Sequence, residues 1–325
     1  MKIGIVLYPY CSLWSASGCM ELLDRANKAY DFFHGNDEEG VNFQVDFISS
    51  EKKSVKTTFP YLINLEHSIY NCNVKYDLII VPGFSSETEI VMQQSNDIAK
   101  WIGEQHNNGT QVASICTGSF LLALSGVLGV RTATTHWLAK DVFKEYFPKI
   151  PLDFSKILID YGTIMMSGSA TSFHNLIIHI IEKTMGKTVA IGVSKVYLID
   201  INRDSPGSYM NLLMFKKHND SCILKAQKSM ENSFQRKFSL DKAAEEVSLS
   251  TRTFTRRFKK ATNETPLNYM HKVKVEKAKE MLECEQVTFE EIAFVMGYED
   301  VNAFRKIFLK HAGINPTKYR LRYQV

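Results

Sequence analysis

Cysteine is sparse in this sequence and is not arranged for metal binding or disulfide bonding. Six cysteines occur among 325 residues, and none forms a Cys-x-x-Cys pair or a cluster with histidine. Extended apolar stretches are also missing, because no apolar run approaches the roughly 18 residues that a membrane span requires. The opening apolar run ends at Pro9 and predicts a first strand rather than a signal peptide. We therefore expect a protein of the reducing cytoplasm with no metal, no cofactor and no membrane contact.

Charge is distributed unevenly along the chain. The formal net charge is +4, but residues 221–325 carry 20 Lys and Arg against 13 Asp and Glu. Residues 1–220 carry 19 against 22. A basic region joined to a mildly acidic one favours binding of the basic region to a polyanion. Well-solvated surface helices are the less favoured alternative from charge alone, and the motifs decide between the two interpretations.

Residues 1–200 alternate between strand and helix patterns. Six apolar runs predict buried strands at Ile3–Leu7, Phe43–Ile48, Leu78–Val81, Val112–Ile115, Ile157–Ile159 and Ile164–Met166. Helical periodicity occurs between them at Met20–Tyr30, Ile90–His106, Phe120–Leu124, His136–Phe147, Ser172–Thr184 and Lys187–Ile199. This alternation predicts an α/β domain with an open, mostly parallel sheet and helices on both faces.

The alternation stops near Arg203–Ser208, where turn-forming Asn, Asp, Ser, Pro and Gly predict a domain boundary. We therefore expect a first domain over residues 1–205, a linker over residues 206–222 and an all-α domain over residues 223–325. Met210–Phe215 is ambiguous, and packing back onto the first domain is one alternative.

Two stretches of the second domain, Phe238–Phe258 and Val287–Phe308, share one pattern. Each contains a short helical segment with alanine where helices approach closely, then a turn and a second helical segment with a Phe-x-x-x-Phe pair. This layout predicts two helix-turn-helix units in an all-α domain. Since the phenylalanines face inward, the candidate DNA-binding residues on the outer faces are Arg252, Thr255, Arg256, Val301, Asn302, Arg305 and Lys306.

The stretch Phe238–Tyr323 resembles the DNA-binding domain of the AraC/XylS family. The resemblance is carried by Ser250-Thr-Arg-Thr-Phe-Thr-Arg-Arg-Phe-Lys-Lys, Ile292-Ala-Phe-Val-Met-Gly-Tyr and Gly313-Ile-Asn-Pro-Thr-Lys-Tyr-Arg, in the family's order and spacing. It implies that Arg252, Thr255 and Arg256 face the bases. Each arginine suits a bidentate contact to guanine, worth ~1–3 kcal/mol of discrimination. For Arg256 a phosphate contact is the alternative, which would add affinity without sequence information.

The second unit differs from the first in its outward residues. Asn302 suits adenine, and Val301 suits the methyl group of thymine. Many members of the resembled family carry Arg where this chain has Lys306, and because Lys has no planar fork we interpret it as a phosphate contact. Glu299 and Asp300 repel phosphate, so we expect tighter and more specific contacts from the first unit.

The first domain contains Lys75-Tyr-Asp-Leu-Ile-Ile-Val-Pro-Gly-Phe, Val112-Ala-Ser-Ile-Cys-Thr-Gly-Ser-Phe-Leu-Leu-Ala and Arg131-Thr-Ala-Thr-Thr-His-Trp. These segments resemble the ThiJ/PfpI branch of the class-I glutamine amidotransferase-like superfamily. With the AraC-like region behind them, they resemble regulators of the GlxA type. The resemblance implies a flavodoxin-like fold for the first domain and a role in sensing and dimerisation.

Enzymes of the resembled superfamily carry a nucleophilic Cys on a sharp strand-to-helix turn, and Cys116 matches that position. A helix N-terminus would lower the pKa of its thiol, and His136 lies in the region of the partner histidine. However, Ser15 stands where an acid is expected, and no carboxylate accompanies His136. We therefore expect no catalytic residue, and interpret Cys116 as a packed or ligand-contacting thiol. A reactive or redox-sensing Cys116 remains the alternative, and His136 has a purely structural alternative.

Ligands of open α/β sheets bind outside the carboxyl ends of the strands. The candidate ligand pocket comprises Tyr10, Trp14, Gly83, Phe84, Cys116, Thr117 and His136, with Pro9 and Ser169 nearby. The rings of Tyr10, Trp14 and Phe84 suit a small amine held by cation–π contact, and the resemblance implies a nitrogenous metabolite as effector. Cys19 replaces a Pro that is usual in the family, and Phe84 replaces a second Gly.

Taken together, these features predict a sequence-specific DNA-binding transcription regulator of the cytoplasm. Its expected partners are double-stranded DNA, a small-molecule effector and a second copy of the chain, with RNA polymerase as a further candidate. A homodimer is expected because paired half-sites multiply the modest specificity of one domain. The alternatives are a ThiJ/PfpI-like cysteine enzyme or a Cys116 redox sensor, each fused to a DNA-binding domain.

Overall fold

A computed structural model describes most of the chain as two compact units, residues 1–205 and residues 206–325. The described residues are 1–35, 40–51, 54–56, 62–65, 67–72, 74–85, 87–200, 212–216 and 218–324. The predicted boundary near Arg203–Ser208 lies outside the described residues, so the domain limits stay a prediction.

The described part of the first unit contains a seven-stranded sheet and a separate two-stranded pair. The strands are β1 (Lys2–Val6), β2 (Gln44–Ser49), β3 (Ser54–Lys56), β4 (Leu62–Asn64), β5 (His67–Ser68), β6 (Leu78–Val81), β7 (Gln111–Ile115), β8 (Leu158–Asp160) and β9 (Ile164–Ser167). The large sheet has the order β5-β2-β1-β6-β7-β9-β8, and β3 pairs with β4. All its neighbours are parallel except β8 and β9, so the predicted mostly parallel sheet is confirmed.

The six predicted strands are present, whereas β3, β4 and β5 were not predicted. These three strands have two or three residues each, too few for a periodic pattern to be recognised. β6 is fully buried, as expected for a strand covered by helices on both faces.

Helices of the first unit surround this sheet. They are α1 (Leu13–His34), α2 (Thr88–Gln94), α3 (Asn96–Asn107), α4 (Ser119–Leu124), α5 (Lys140–Tyr146), α6 (Phe173–Met185) and α7 (Lys187–Val196), with short 3₁₀ turns at Cys116–Gly118 and Trp137–Ala139. The predicted helix Ile90–His106 is divided in two at Ser95. α1 begins earlier than predicted because Ser12 caps it, accepting the Ser15 N–H at 3.4 Å.

The described part of the second unit is helical, as predicted. It contains a 3₁₀ turn (Leu212–Phe215) and α8 (Ser221–Asn232), α9 (Leu240–Glu245), α10 (Thr251–Thr262), α11 (Pro266–Cys284), α12 (Phe289–Val295), α13 (Val301–Ala312) and α14 (Pro316–Tyr323). Side-chain oxygens cap the start of each helix-turn-helix element, including Ser250 for α10 and Asp300 for α13. Pro266 occupies the first turn of α11, where its missing N–H is not needed.

The described end of the predicted linker packs as part of the second unit. Gln227 of α8 donates its amide to the Phe215 carbonyl oxygen at 2.9 Å. The Phe215 ring lies 5.9 Å from the Tyr269 ring in an edge-to-face arrangement. Burial of an aromatic ring explains why Leu212–Phe215 is ordered against this unit rather than exposed.

Candidate nucleic-acid interface and ligand site

α9 and α10 form the first helix-turn-helix unit. Phe254 and Phe258 of α10 are completely buried, with ring centres 5.5 Å apart. Because these side chains face inward at i,i+4 spacing, the opposite face of α10 is solvent-exposed. Arg252 and Arg256 lie on that exposed face, as the spacing predicted.

The arginines of α10 differ in what they contact. Within the described part of the chain, the guanidinium groups of Arg252 and Arg256 form no hydrogen bond or ion pair, so both are available to a ligand. Arg257 instead binds Asp220 through two hydrogen bonds, at 2.7 and 3.1 Å. The Thr255 hydroxyl donates to the Thr251 carbonyl oxygen at 2.9 Å, so its proton is already committed to the helix backbone.

α12 and α13 form the second helix-turn-helix unit, which has the same arrangement as the first. Phe304 and Phe308 are completely buried, and Phe304 stacks with Phe289 and Tyr298 at 5.5 and 4.8 Å. Of the predicted contact residues, Asn302 and Lys306 are exposed, and Val301 and Arg305 are half-buried. Their separation into an inner and an outer face therefore agrees with the prediction.

Arg305 of α13 binds one polar side chain of its own helix and one of α12. Its guanidinium donates to the Asn302 side-chain oxygen at 2.8 Å and to a Glu290 carboxylate oxygen at 3.3 Å. Asn302 needs that oxygen to accept from adenine in a bidentate contact. Arg305 therefore occupies one of the two lone pairs that this oxygen could offer to adenine.

Asp300 acts first as a structural cap. One of its carboxylate oxygens accepts the Asn302 and Ala303 N–H groups at 2.8 and 3.2 Å. It satisfies two N–H groups that would otherwise have no partner at the start of α13. The sequence interpretation of Asp300 as a phosphate-repelling charge missed this contribution.

Cys116 lies on a strained turn at the carboxyl end of β7. It has φ +55, in the left-handed region that non-glycine residues seldom adopt. Gly118 has helical backbone angles, so it is required by space rather than by the turn. A Cβ at Gly118 would lie 2.5 Å from the Pro82 carbonyl oxygen, and one at Gly83 would lie 3.2 Å from the Cys116 Cβ.

Five of the predicted pocket residues gather around this turn. The Thr117 hydroxyl accepts the Phe84 N–H at 2.7 Å and donates to the Phe84 carbonyl oxygen at 3.0 Å. The Ser85 N–H donates to the Tyr10 carbonyl oxygen at 3.2 Å. With Gly83 against Cys116, these contacts bring the loops after β1, β6 and β7 together.

The predicted aromatic groups do not form one cage. The Phe84 side chain is 7% exposed, and its ring packs edge-to-face on Phe120 at 5.8 Å. It therefore faces the core, and the prediction that its ring holds an amine is wrong. Trp14 is 55% exposed and packs edge-to-face on Phe173 at 5.5 Å, with His174 at 6.4 Å.

The sequence interpretation missed Phe173 and His174 as neighbours of Trp14. Both lie in the first turn of α6, directly after the loop that follows β9. Their position after a strand of the parallel sheet was the available signal, because such loops share one edge with the Cys116 turn.

The expectation that the helix N-terminus lowers the pKa of Cys116 is wrong. Burial raises the pKa of this thiol to about 11, although hydrogen bonds from Thr117 partly offset the effect. The side chain is 9% exposed, and the loss of hydration destabilises the thiolate more than the short turn stabilises it. The Cys116 thiol is therefore neutral near pH 7.

His136 is engaged locally. Its Nδ1 accepts the Leu138 N–H at 3.2 Å, and its ring stacks on Trp137 at 5.3 Å. Burial lowers the pKa of His136, so the ring is neutral at pH 7. The Ser15 hydroxyl donates to the Ser12 carbonyl oxygen at 3.1 Å. No hydrogen bond among residues 87–200 joins His136 to the Cys116 thiol.

Among the residues that the structure describes, no group of three or more His, Cys, Asp or Glu side chains is arranged to hold a metal ion. None of the described helices has the length and apolar character needed to cross a membrane.

Comparison with known families divides the chain in the same way as its fold. Residues 1–150 match the DJ-1/PfpI family, and residues 243–322 match a helix-turn-helix domain. An α/β domain with a cysteine turn is thus followed by a helical domain of the DNA-binding class. The chain has the architecture of AraC-family regulators of the GlxA type, a DJ-1/PfpI domain followed by an AraC-type helix-turn-helix domain.

Curated relatives with this architecture are distant in sequence. The HTH-type transcriptional regulator GbdR of Pseudomonas aeruginosa is 24% identical over 217 residues, which cover 66% of this chain and 59% of GbdR. The HTH-type transcriptional regulator CdhR of the same species is 24% identical over 245 residues, covering 75% of this chain and 71% of CdhR. The HTH-type transcriptional regulator GlxA of Rhizobium meliloti is 23% identical over 210 residues, covering 63% and 64%. This chain thus spans less than two thirds of the length of GbdR.

Solved structures agree on the fold of the first unit. A protein of Vibrio parahaemolyticus has a TM-score of 0.53 and 19% identity, with 61% of this chain and 98% of that chain covered. DJ-1beta of Drosophila melanogaster has a TM-score of 0.50 and 18% identity, with the same coverage. At these identities the likeness concerns the fold alone.

Proposed function

We propose that this chain is a sequence-specific DNA-binding transcription regulator whose first domain binds a small-molecule effector. The observation that carries the proposal is the pair of helices α10 and α13, each with a buried Phe pair beneath a polar outer face. Relatives of the same architecture are named transcriptional regulators, which supports this function. The six free thiols are consistent with action in the reducing cytoplasm.

On DNA, each recognition helix lies in the major groove and presents its outer face to the bases. Arg252 and Arg256 contact guanine through their unengaged guanidinium groups. Val301 and Asn302 contact a T·A or A·T pair, Arg305 lies beside them, and Lys306 contacts phosphate. We infer that the first helix-turn-helix unit supplies most of the sequence discrimination, because Arg305 and Asn302 bind one another in the second helix-turn-helix unit.

Selection from a random pool of double-stranded DNA with the purified full-length chain tests this function. We expect one enriched motif with paired half-sites, as binding by a dimer requires. Only salt-sensitive binding with no enriched motif would contradict sequence-specific regulation. Repeating the selection with Arg252→Ala provides the internal control, because the motif should lose information at one position.

We propose that the effector binds at the edge of the sheet near the Cys116 turn. The candidate residues are Tyr10, Trp14, Gly83, Phe84, Cys116, Thr117 and His136, of which the buried Phe84 ring is not expected to contact a cation. The exposed Trp14 ring supports a cationic, nitrogenous ligand held by cation–π contact.

Tetramethylammonium is a minimal probe of this ligand class. It should change the tryptophan fluorescence of the full-length chain, and the change should disappear in Trp14→Leu. Trp101→Phe is the matched control, since Trp101 is buried against Tyr76 and should leave the response intact. No response in the unmodified chain would argue against a cationic ligand.

A cysteine enzyme is the second candidate function, and the left-handed backbone of Cys116 is the observation that favours it. We propose that the domain is non-catalytic. The raised pKa of Cys116, the local engagement of His136 and the serine at position 15 all support this assignment.

A further inference from the structure

Two lysines of α11, Lys274 and Lys279, are buried, although lysine is rarely buried without partners. Lys274 lies in the middle of α11 and is 3% exposed. Burial lowers the pKa of its ammonium group, as expected when water is removed from a charge. A buried ammonium requires hydrogen-bond acceptors, and the location of those acceptors indicates its role.

The Lys274 ammonium connects the loop that precedes the first helix-turn-helix unit to the turn of the second. It donates to the Arg236 carbonyl oxygen at 3.1 Å and to the Met296 carbonyl oxygen at 2.5 Å. It also lies 4.9 Å from the centre of the Tyr298 ring. Arg236 belongs to the loop before α9, whereas Met296 and Tyr298 belong to the turn between α12 and α13. One side chain therefore joins the loop before α9 to the turn between α12 and α13.

Backbone packing reinforces the same junction. Gly297, in the turn between α12 and α13, has φ +76, and a Cβ there would lie 2.6 Å from the Gln235 carbonyl oxygen. The turn between α12 and α13 thus lies directly against the loop before α9. A rigid relation between α10 and α13 therefore depends on α11, on this backbone contact and on the hydrogen bonds of Lys274 across the junction.

We propose that Lys274 is a positioning residue that sets the spacing at which the two recognition helices meet DNA. The proposal rests on the DNA-binding function proposed above. One inserted base pair moves the second half of a site by ~3.4 Å and rotates it by ~34°, as the pitch of B-DNA dictates. A pair of helices held rigidly cannot follow this displacement, whereas a loosened pair can.

Spacing tolerance of full-length Lys274→Met therefore tests the proposal. The selected site is rebuilt with one and two base pairs inserted between the contacts of α10 and those of α13, and affinities are compared. We expect the unmodified chain to lose ~10-fold or more per insertion, because it forfeits contacts worth at least about one mismatch. Lys274→Met should bind the parent site more weakly but lose less than ~3-fold on insertion.

Lys272→Met is the matched control on the same helix. Lys272 also forms an ion pair, at 2.6 Å to Glu264, and lies 4.3 Å from the Phe215 ring, but these partners do not belong to the second helix-turn-helix unit. The Lys272→Met substitution should lower the stability of the protein without changing how it tolerates inserted base pairs. Lys274→Arg should restore the strict spacing, since guanidinium can also donate to both carbonyl groups.

The outcomes separate the two proposals. If the unmodified chain selects no site, sequence-specific DNA binding itself fails. If it selects a site and Lys274→Met shows the same penalty on insertion, the positioning role is wrong and the lysine only stabilises the fold. Should Lys274→Met fail to fold by circular dichroism, Lys274→Gln, which keeps one donor group, replaces it in the same comparison.

Discussion

Arg252, Arg256, Arg257 and Arg305 carry the same charge on the two recognition helices, but their side chains are not equally available. Asp220 holds Arg257, and Glu290 with Asn302 holds Arg305. Among residues 218–324, Arg252 and Arg256 have no such partner. Availability therefore depends on the neighbours of each arginine rather than on its position in the repeat.

Arg252→Ala should weaken binding to the selected site much more than binding to random DNA. The loss on the site should correspond to ~1–3 kcal/mol, because a bidentate contact to guanine is removed. Fluorescence anisotropy with both DNAs measures the difference. Lys306→Ala is the matched control, since losing a phosphate contact should weaken both complexes alike and reduce the salt slope by about 1. Equal losses for Arg252→Ala would show that it contacts only phosphate.

Glu290→Gln should strengthen DNA binding by releasing Arg305. The freed guanidinium should add one phosphate contact, so the slope of log affinity against log salt should steepen by about 1. The effect should vanish in an Arg305→Ala background. Glu299→Gln serves as the control, because removing an acid that does not contact Arg305 should have the same effect in both backgrounds. An effect of Glu290→Gln that persists without Arg305 would refute this explanation.

The Cys116 thiol should be inert at pH 7. Its pKa is raised to about 11 by burial, so the reactive thiolate is scarce, and access to the side chain is limited as well. Iodoacetamide labelling followed by mass spectrometry should modify the exposed Cys284 long before Cys116. Modification of Cys116 at the rate of Cys284 would instead revive the redox-sensor and enzyme alternatives.

The β8–β9 hairpin is joined to α6 by a polar cluster around Asp160. Its carboxylate accepts from His179 and Lys183 at 2.8 Å each and from the Gly162 N–H at 2.6 Å. Burial favours the neutral acid, but these hydrogen bonds outweigh it and lower the pKa of Asp160 to about 2. The charged form of Asp160 therefore holds β8, the antiparallel edge strand of the seven-stranded sheet, against α6.

Acid should weaken this attachment in a defined pH range. Because the pKa of Asp160 is lower in the folded chain than the ~3.9 of an unfolded one, its contribution is complete above pH ~4 and is lost toward pH 2. Because Asp160 is exposed, solvent screening keeps its contribution below the ~2 kcal/mol that the shift alone would give. All three tryptophans lie in the first unit, so urea unfolding followed by tryptophan fluorescence reports on this unit.

Asp160→Asn should lower the stability of the first unit at pH 6 and flatten its pH dependence below pH 4. Asp24→Asn is the control, since Asp24 forms only an exposed i,i+4 pair with Lys28 and should change little. Parallel pH profiles for the Asp160→Asn and unmodified chains would mean that this cluster does not contribute to acid sensitivity.

Under the proposed function, sequence specificity depends on the number of base contacts that the bound protein makes. Each chain offers two recognition helices, and a second copy would double the number of base contacts. We therefore expect sedimentation equilibrium of the free chain to give twice the 37.1 kDa of one copy, and the complex to exceed the mass of the selected DNA by the same amount. A mass of one copy in both conditions would contradict the dimer and the paired half-sites together.

Local sequence patterns accounted for most of the fold and for part of the site. Apolar runs located six strands, and the Phe-x-x-x-Phe pairs oriented α10 and α13, because both patterns depend on neighbours a few residues apart. The Phe84 ring and the Cys116 pKa were mispredicted, since burial of a side chain depends on what packs above it.

Local residue patterns were enough to identify two domains, the helix-turn-helix repeats and the outward residues of α10 and α13. Which charged groups remain available depends instead on how the helices pack. Asp220 lies 37 residues from Arg257, and the acceptors of Lys274 lie 38 and 22 residues from it. Contacts across such separations leave no periodic trace in the chain, because they arise only when helices pack and water is excluded from the junction.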